Sequence, residues 1–93
     1  MRTVSRMDYQ PGCLARSLAG HDKGQYYVIL SVDGERALLA DGRTRTQGHP
    51  KRKNIRHIQV VKNCLVREFP VSDEELYARL KSFVECISGV GER

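Results

Sequence analysis

From Gly12 to Gly48 the chain never runs more than nine residues without a glycine. Glycine tolerates positive φ and weakens the interior of helices and strands, so it marks turns. A region punctuated this often has room for short strands and none for a long helix. The runs between the glycines agree. "QYYVILSV" (25–32) is rich in aromatic and β-branched residues and is the best strand. Asp33-Gly34 then signals a hairpin, "RALLA" (36–40) is the next short strand, and Asp41-Gly42 is a second turn. "CLARSL" (13–18) is a weaker strand, and "AGHDKG" (19–24), bracketed by Gly20 and Gly24, is a tight connection. "RTRTQ" (43–47) is expected to form a brief exposed strand, and "IRHIQVV" (55–61) the last clear one. Several short strands with frequent turns predict a small barrel or sandwich.

After Pro70 the period changes. In "VSDEELYARLKSFVECISG" the apolar residues Leu76, Leu80, Phe83, Val84 and Ile87 fall on one helical stripe. Ser72 suits an N-cap, Glu75 completes a capping box, and Val71 and Leu76 occupy the staple positions. Asp73, Glu74 and Glu75 complement the positive end of the helix dipole, and Gly89 suits the C′ position. The expected organisation is a single domain: an N-terminal arm (1–11) ended by Pro11-Gly12, a β region (12–70), and a helix (71–88) packed on it.

The charge is unevenly spread. "GHPKRKNIRHI" (48–58) holds six Lys, Arg or His and no acid. Arg43, Arg45, Lys51, Arg52, Lys53 and Arg56 account for the whole net charge of +5, because the rest of the chain holds ten basic and eleven acidic residues. A local field of one sign attracts polyanions. Pro50 and the consecutive charges argue against a central strand. The segment is expected to be an irregular loop whose Lys51, Arg52 and Lys53 fan along a phosphate backbone, with Asn54 able to bond bases, phosphates or its own turn. As solvated charges these residues would add little to stability.

Other chemistries have weaker signals. Cys13, His21, His49, His57, Cys64 and Cys86 form no CxxC or HxxxH pair, so no metal or cofactor is expected. His57 precedes Cys64 by seven residues with no third group to complete a nucleophilic set, so the chain is expected not to be an enzyme. Cys86, on the flank of the stripe, reads as semi-buried packing. Three separated cysteines suggest no disulfide framework. No run approaches the ~20 apolar residues of a membrane span, and the N-terminus lacks the apolar core of a signal peptide. The expected location is the cytoplasm.

"GCLARSLAGHDKGQYYVILSV" resembles a KOW motif, with Gly24 as its characteristic glycine and Lys23 before it. Together with "PKRKNIRH" and the C-terminal helix, the chain from Gly12 to Phe83 is similar to the single-KOW large-subunit ribosomal protein of archaea and eukaryotes. It is more similar still to its small bacterial KOW-domain RNA-binding relatives. Tyr26 and Tyr27 stand where many KOW motifs have another glycine. The resemblance implies a mainly β fold, a small SH3-like five-stranded barrel with one C-terminal helix, and RNA as ligand without saying which; an intact ribosomal RNA fold, with contacts to ribosomal proteins, is the expected candidate. The RNA-facing residues would be His21, Lys23, Gly24, Arg43, Arg45, Lys51, Arg52, Lys53, Asn54, Arg56 and His57. The loop glycines would let free backbone N–H groups meet phosphate oxygens. With four tyrosines, two phenylalanines and no tryptophan, recognition of RNA shape is expected over base stacking. The competing reading is an SH3-like interaction module for an acidic protein partner, disfavoured by the shortage of aromatics for a peptide groove. The free protein is expected to be a monomer.

Overall fold

The computed structural model describes residues 9–62 and 65–89, with side chains as far as Cys86. Five strands and one helix follow in chain order: β1 (Leu14–Ser17), β2 (Tyr26–Asp33), β3 (Arg36–Ala40), β4 (Lys51–Asn54), β5 (Ile58–Lys62) and α1 (Asp73–Gly89). One turn of 3-10 helix, Ile55–His57, joins β4 to β5. The sheet is antiparallel in the order β4-β3-β2-β1-β5, so β4 and β5 are its open edges.

Those edges are nevertheless close. Five strands laid flat would put them about 19 Å apart, at ~4.8 Å per step. Four Cα steps, from Asn54 to Ile58, reach at most about 14 Å. The sheet must therefore curl. Register shifts between Leu14 and Ala15 and between Ile29 and Ser31 mark where the bending is accommodated. Backbone bonds tie both ends of the 3-10 turn. Ile55 N–H donates to Glu35 C=O at 2.8 Å, and Leu18 N–H donates to His57 C=O at 2.8 Å. The hydrogen-bond ladder itself stays open, and the sequence expectation of a barrel reduces to a curled five-stranded sheet.

Strand alternation produces two cores. One face buries Tyr9, Cys13, Ala15, Tyr27, Ile29, Ala37, Leu39 and Ile58 inside the curl. The other buries Leu14, Val28 and Ala40 against Leu76 and Leu80 of the helix, with Val66. The helix follows its sequence pattern, except that it begins at Asp73 and takes in Gly89, which was expected just past its end. Ser72 Oγ accepts from Glu75 N–H at 3.1 Å, Val71 joins the helix-side cluster, and Phe83 and Val84 extend the stripe. Glu75 Oε2 is 2.7 Å from Arg79 Nε. Ile87 lies outside the described side chains. Cys86 is exposed, where semi-buried packing was expected.

Three local expectations change. "RTRTQ" forms no strand: residues 42–45 bend tightly, and Asp41 Oδ1 accepts from Arg43 N–H at 2.9 Å and Arg45 N–H at 2.8 Å. "IRH" is a 3-10 turn, and β5 begins only at Ile58. "KRKN" is not an irregular loop. It is β4, paired to β3 by Lys51↔Leu39, Arg52↔Leu38, Lys53↔Ala37 and Asn54↔Arg36. An edge position makes this possible, since the charged side chains need only one hydrogen-bonded neighbour strand and keep access to water.

Candidate nucleic-acid interface

Residues directly opposite on antiparallel strands point to the same face. Lys51 and Lys53 therefore share the inner face with Leu39 and Ala37, while Arg52 points outward beside Leu38. The inward lysines would be costly without a partner. Asp22, from the β1–β2 loop, supplies one. Lys53 Nζ is 3.0 Å from Asp22 Oδ1, and Lys51 Nζ is 3.7 Å from Oδ2. Ser17 Oγ donates to Oδ1 at 2.9 Å, and the Tyr27 hydroxyl donates to Oδ2 at 3.1 Å. Side chains from β1, β2 and β4 thus converge on one carboxylate at the mouth of the inner core.

The cluster is mostly shielded: Lys53 and Asp22 side chains are each 12% exposed. Burial alone would raise the Asp22 pKa, but hydrogen bonds from Lys53, Ser17 and Tyr27 outweigh it and hold the carboxyl at about 2. Burial, with the hydrogen bond to Asp22 and its charge, pushes the Tyr27 hydroxyl up to about 12. Two ammonium groups against one carboxylate leave the cluster with one surplus positive charge.

The β1–β2 loop stands against this cluster. Gly20 and Gly24 have φ of +88° and +91°. A Cβ on Gly20 would lie 3.4 Å from Lys53 Nζ, whereas one on Gly24 would meet nothing within 4 Å. The amides expected to face phosphate are used internally: Lys23 N–H bonds Gly20 C=O, Gly24 N–H bonds Ser17 C=O, and Gln25 N–H bonds Asp22 C=O. What this loop presents outward is the side chains of His21 and Lys23, both exposed.

The structure thus divides the residues singled out from sequence. His21, Lys23, Gly24, Lys51 and Lys53 gather around the β1–β2 loop, and His57 joins them through its carbonyl bond to Leu18. Arg43 and Arg45 belong to the β3–β4 loop at the same end of the sheet. Arg43 turns toward the helix, with Nη1 donating to the Tyr77 hydroxyl at 3.0 Å. Arg52 lies on the outer face, where it and Arg36 line a depression of about 270 Å³. Asn54 and Arg56 lie beside Glu35, at the start of the 3-10 turn that leads to His57 and Leu18. Asn54 serves its own turn, Oδ1 accepting from Arg56 N–H at 2.9 Å. Sequence reasoning missed Asp22, Ser17 and Tyr27 as partners of the lysines, and Arg36 as the neighbour of Arg52.

Among the described residues no group of three or more His, Cys, Asp or Glu is placed to hold a metal ion. Cys64 lies outside the described residues. No described helix is long and apolar enough to cross a membrane. No family model matches the chain, and no curated protein matches it significantly.

The two ends of the sheet differ in charge. The end formed by the β2–β3 hairpin and the close of β4 mixes Asp33 and Glu35 with Arg36 and Arg56. The end formed by the β1–β2 and β3–β4 loops holds Lys23, Arg43, Arg45 and Lys51, and Lys53 reaches it through Asp22. Its acids within the sheet region, Asp22 and Asp41, are both engaged in internal bonds. Within the sheet this is a basic end, to which the start of α1 adds Asp73, itself bonded to the Gln47 N–H.

Proposed function

We propose that this protein binds structured RNA through the loop end of its sheet, in the manner of an SH3-like KOW domain. One observation carries the reading: across residues 9–62 ten Lys and Arg face four acids, and at the loop end Asp22, Asp41 and, from the start of α1, Asp73 all accept internal bonds. Phosphate oxygens are the natural partner for that surplus. The curled sheet, the 3-10 turn between β4 and β5, and the glycine-flanked loop with Lys23-Gly24 support the KOW-like fold. A folded RNA such as ribosomal RNA is the expected ligand, with the cytoplasm as the place of work.

Affinity measured by filter binding on a structured RNA hairpin, at several salt concentrations, tests the reading. With about four phosphate contacts, log K falls against log salt with a slope of roughly −3 to −4. A salt-independent affinity, or none, sinks it. Crosslinking in cells followed by RNA sequencing would name the RNA. Retention of co-purifying partners after RNase treatment would point to an acidic protein instead.

A further inference from the structure

A groove of about 560 Å³ runs between the β3–β4 loop and α1. That volume is within the ~300–1,000 Å³ of ordinary small-ligand sites. Two of the chain's four tyrosines meet there: Tyr26 from the outer face of β2, and Tyr77 from the helix. The Arg43 guanidinium lies 5.5 Å from the centre of the Tyr77 ring and bonds its hydroxyl, and Lys81 Nζ lies 6.0 Å from the same ring.

The groove is held in shape from several sides. Asp41 fixes the loop through the Arg43 and Arg45 amides. Gln47 bonds Asp73 Oδ1 and Val71 C=O, joining the loop to the start of the helix. Gly42 packs so tightly on the helix that a Cβ there would strike Asp73 C=O and stand 2.8 Å from Tyr77 N.

Its charge argues about the occupant. Arg43 and Lys81 are matched in the lining by Asp41 and Glu85, and Lys81 Nζ is 3.9 Å from Glu85 Oε2. A phosphate gains little from such a balance. A neutral planar group with donors and acceptors around its edge suits it, because aromatic and guanidinium faces stack on it while the second oxygen of Asp41 and the Glu85 carboxylate accept from amino groups. We propose that this groove takes one unpaired base of the RNA, stacked against Tyr26 and the Arg43 guanidinium. The proposal rests on the RNA-binding reading and adds base recognition, which the scarcity of aromatics in the sequence had argued against.

Stacking and phosphate contact leave different signatures. Stacking is sequence-tolerant and involves no counterion release, whereas each phosphate contact steepens the salt slope. The test uses a single-stranded RNA heptamer with a central 2-aminopurine, and a blunt duplex of the same sequence. Binding of the heptamer should quench the 2-aminopurine fluorescence. Tyr26→Leu should weaken heptamer binding about tenfold, within the range for losing one aromatic platform, and leave the salt slope unchanged. Duplex binding should not respond to Tyr26→Leu. Arg43→Gln should also relieve the quench. Arg43 is exposed, so this variant decides the matter if Tyr26→Leu lowers the melting temperature into the assay range. Quenching that survives both substitutions, or wild-type protein that binds duplex and not heptamer, overturns the groove proposal and leaves the RNA reading standing. Wild-type protein that binds neither RNA overturns both.

Discussion

Asp22 sits in the β1–β2 loop and Asp41 in the β3–β4 loop, at the same end of the sheet. Asp41 serves its immediate surroundings, accepting from the amides of Arg43 and Arg45. Asp22 reaches across the fold, joining Ser17, Tyr27 and, 31 residues on, Lys53. One aspartate shapes a turn, and the other ties a loop to an edge strand. The glycines follow the same division in reverse. Gly42, in the locally shaped loop, is pressed against the helix, and Gly24, in the tethered loop, faces open space. The tie to a distant element thus rests on a charge cluster in the first loop, and in the second on close backbone packing together with the Gln47 and Arg43 bonds to α1.

The glycines offer the largest test of this contrast. Both have positive φ, +84° at Gly42 and +91° at Gly24. Valine at either position pays conformational strain of about 1–3 kcal/mol. Gly42→Val also drives Cβ into the helix backbone, adding roughly 1–3 kcal/mol of overpacking. Chemical denaturation should show Gly42→Val losing clearly more stability than Gly24→Val. Equal losses would mean that the β3–β4 loop moves away from α1 at little cost.

The aspartates come next. Asp22→Ala leaves Lys53 largely buried without its counter-charge and should cost about 3 kcal/mol. Asp41→Ala removes two local hydrogen bonds near solvent and should cost about 1 kcal/mol. If the order in urea unfolding is reversed, the tie between the β1–β2 loop and β4 is not a significant source of stability.

Acid sharpens the Asp22 result. Its carboxyl titrates near 2 in the folded chain, against an ordinary 3.8. A depressed folded pKa stabilises above the unfolded value, and that stability is lost as pH falls from about 4 to about 2. At ~1.4 kcal/mol per unit the loss is about 2 kcal/mol. Asp22→Asn should flatten that portion of the stability–pH curve. Tyr27 acts in the opposite direction. Its raised pKa contributes stability below about pH 10, which is lost as pH climbs from there toward 12. An acid limb that is the same in wild type and Asp22→Asn would refute the assignment.

What could be read from sequence follows the same line between local and distant. The helix was legible because Ser72, Leu76 and Leu80 act through neighbours three and four residues away. Asp33-Gly34 was legible as a hairpin for the same reason, since Asp33 pairs with Arg36 across the turn. β4 was not. Lys51, Arg52 and Lys53 look like a solvated loop until Asp22 is known to lie on their inner side, and no local pattern links positions so far apart. The unmixed charge of the basic segment was visible in the sequence. Its division was not, because alternate residues of a strand face opposite ways only once the strand is known to exist. The groove was hidden likewise, since Tyr26 and Tyr77 meet only through the packing of α1 on β2.

The smallest expected effect on stability separates the two faces of β4. Lys53 and Arg52 are adjacent, carry the same charge and would be interchangeable on a flexible loop. On the strand Lys53 is tied to Asp22, and Arg52 stands exposed on the other face. Arg52→Ala should leave the melting curve in place, because an exposed side chain of this kind adds little to folding. If Arg52 contacts a phosphate, its loss should weaken binding to different RNAs alike and flatten the log–log salt slope by about 1. Lys53→Ala should behave the other way. It frees Asp22 as an unmatched, shielded carboxylate, so stability falls before any change in binding is considered. Filter binding at several salt concentrations, read beside thermal unfolding of both variants, distinguishes the cases. Loss of stability in neither variant would return β4 to the solvated loop that its composition suggests, and loss in both would give Arg52 a structural role like that of Lys53. Loss confined to Lys53→Ala, with the salt slope flattened in Arg52→Ala, assigns one face of the strand to the fold and the other to the phosphate backbone.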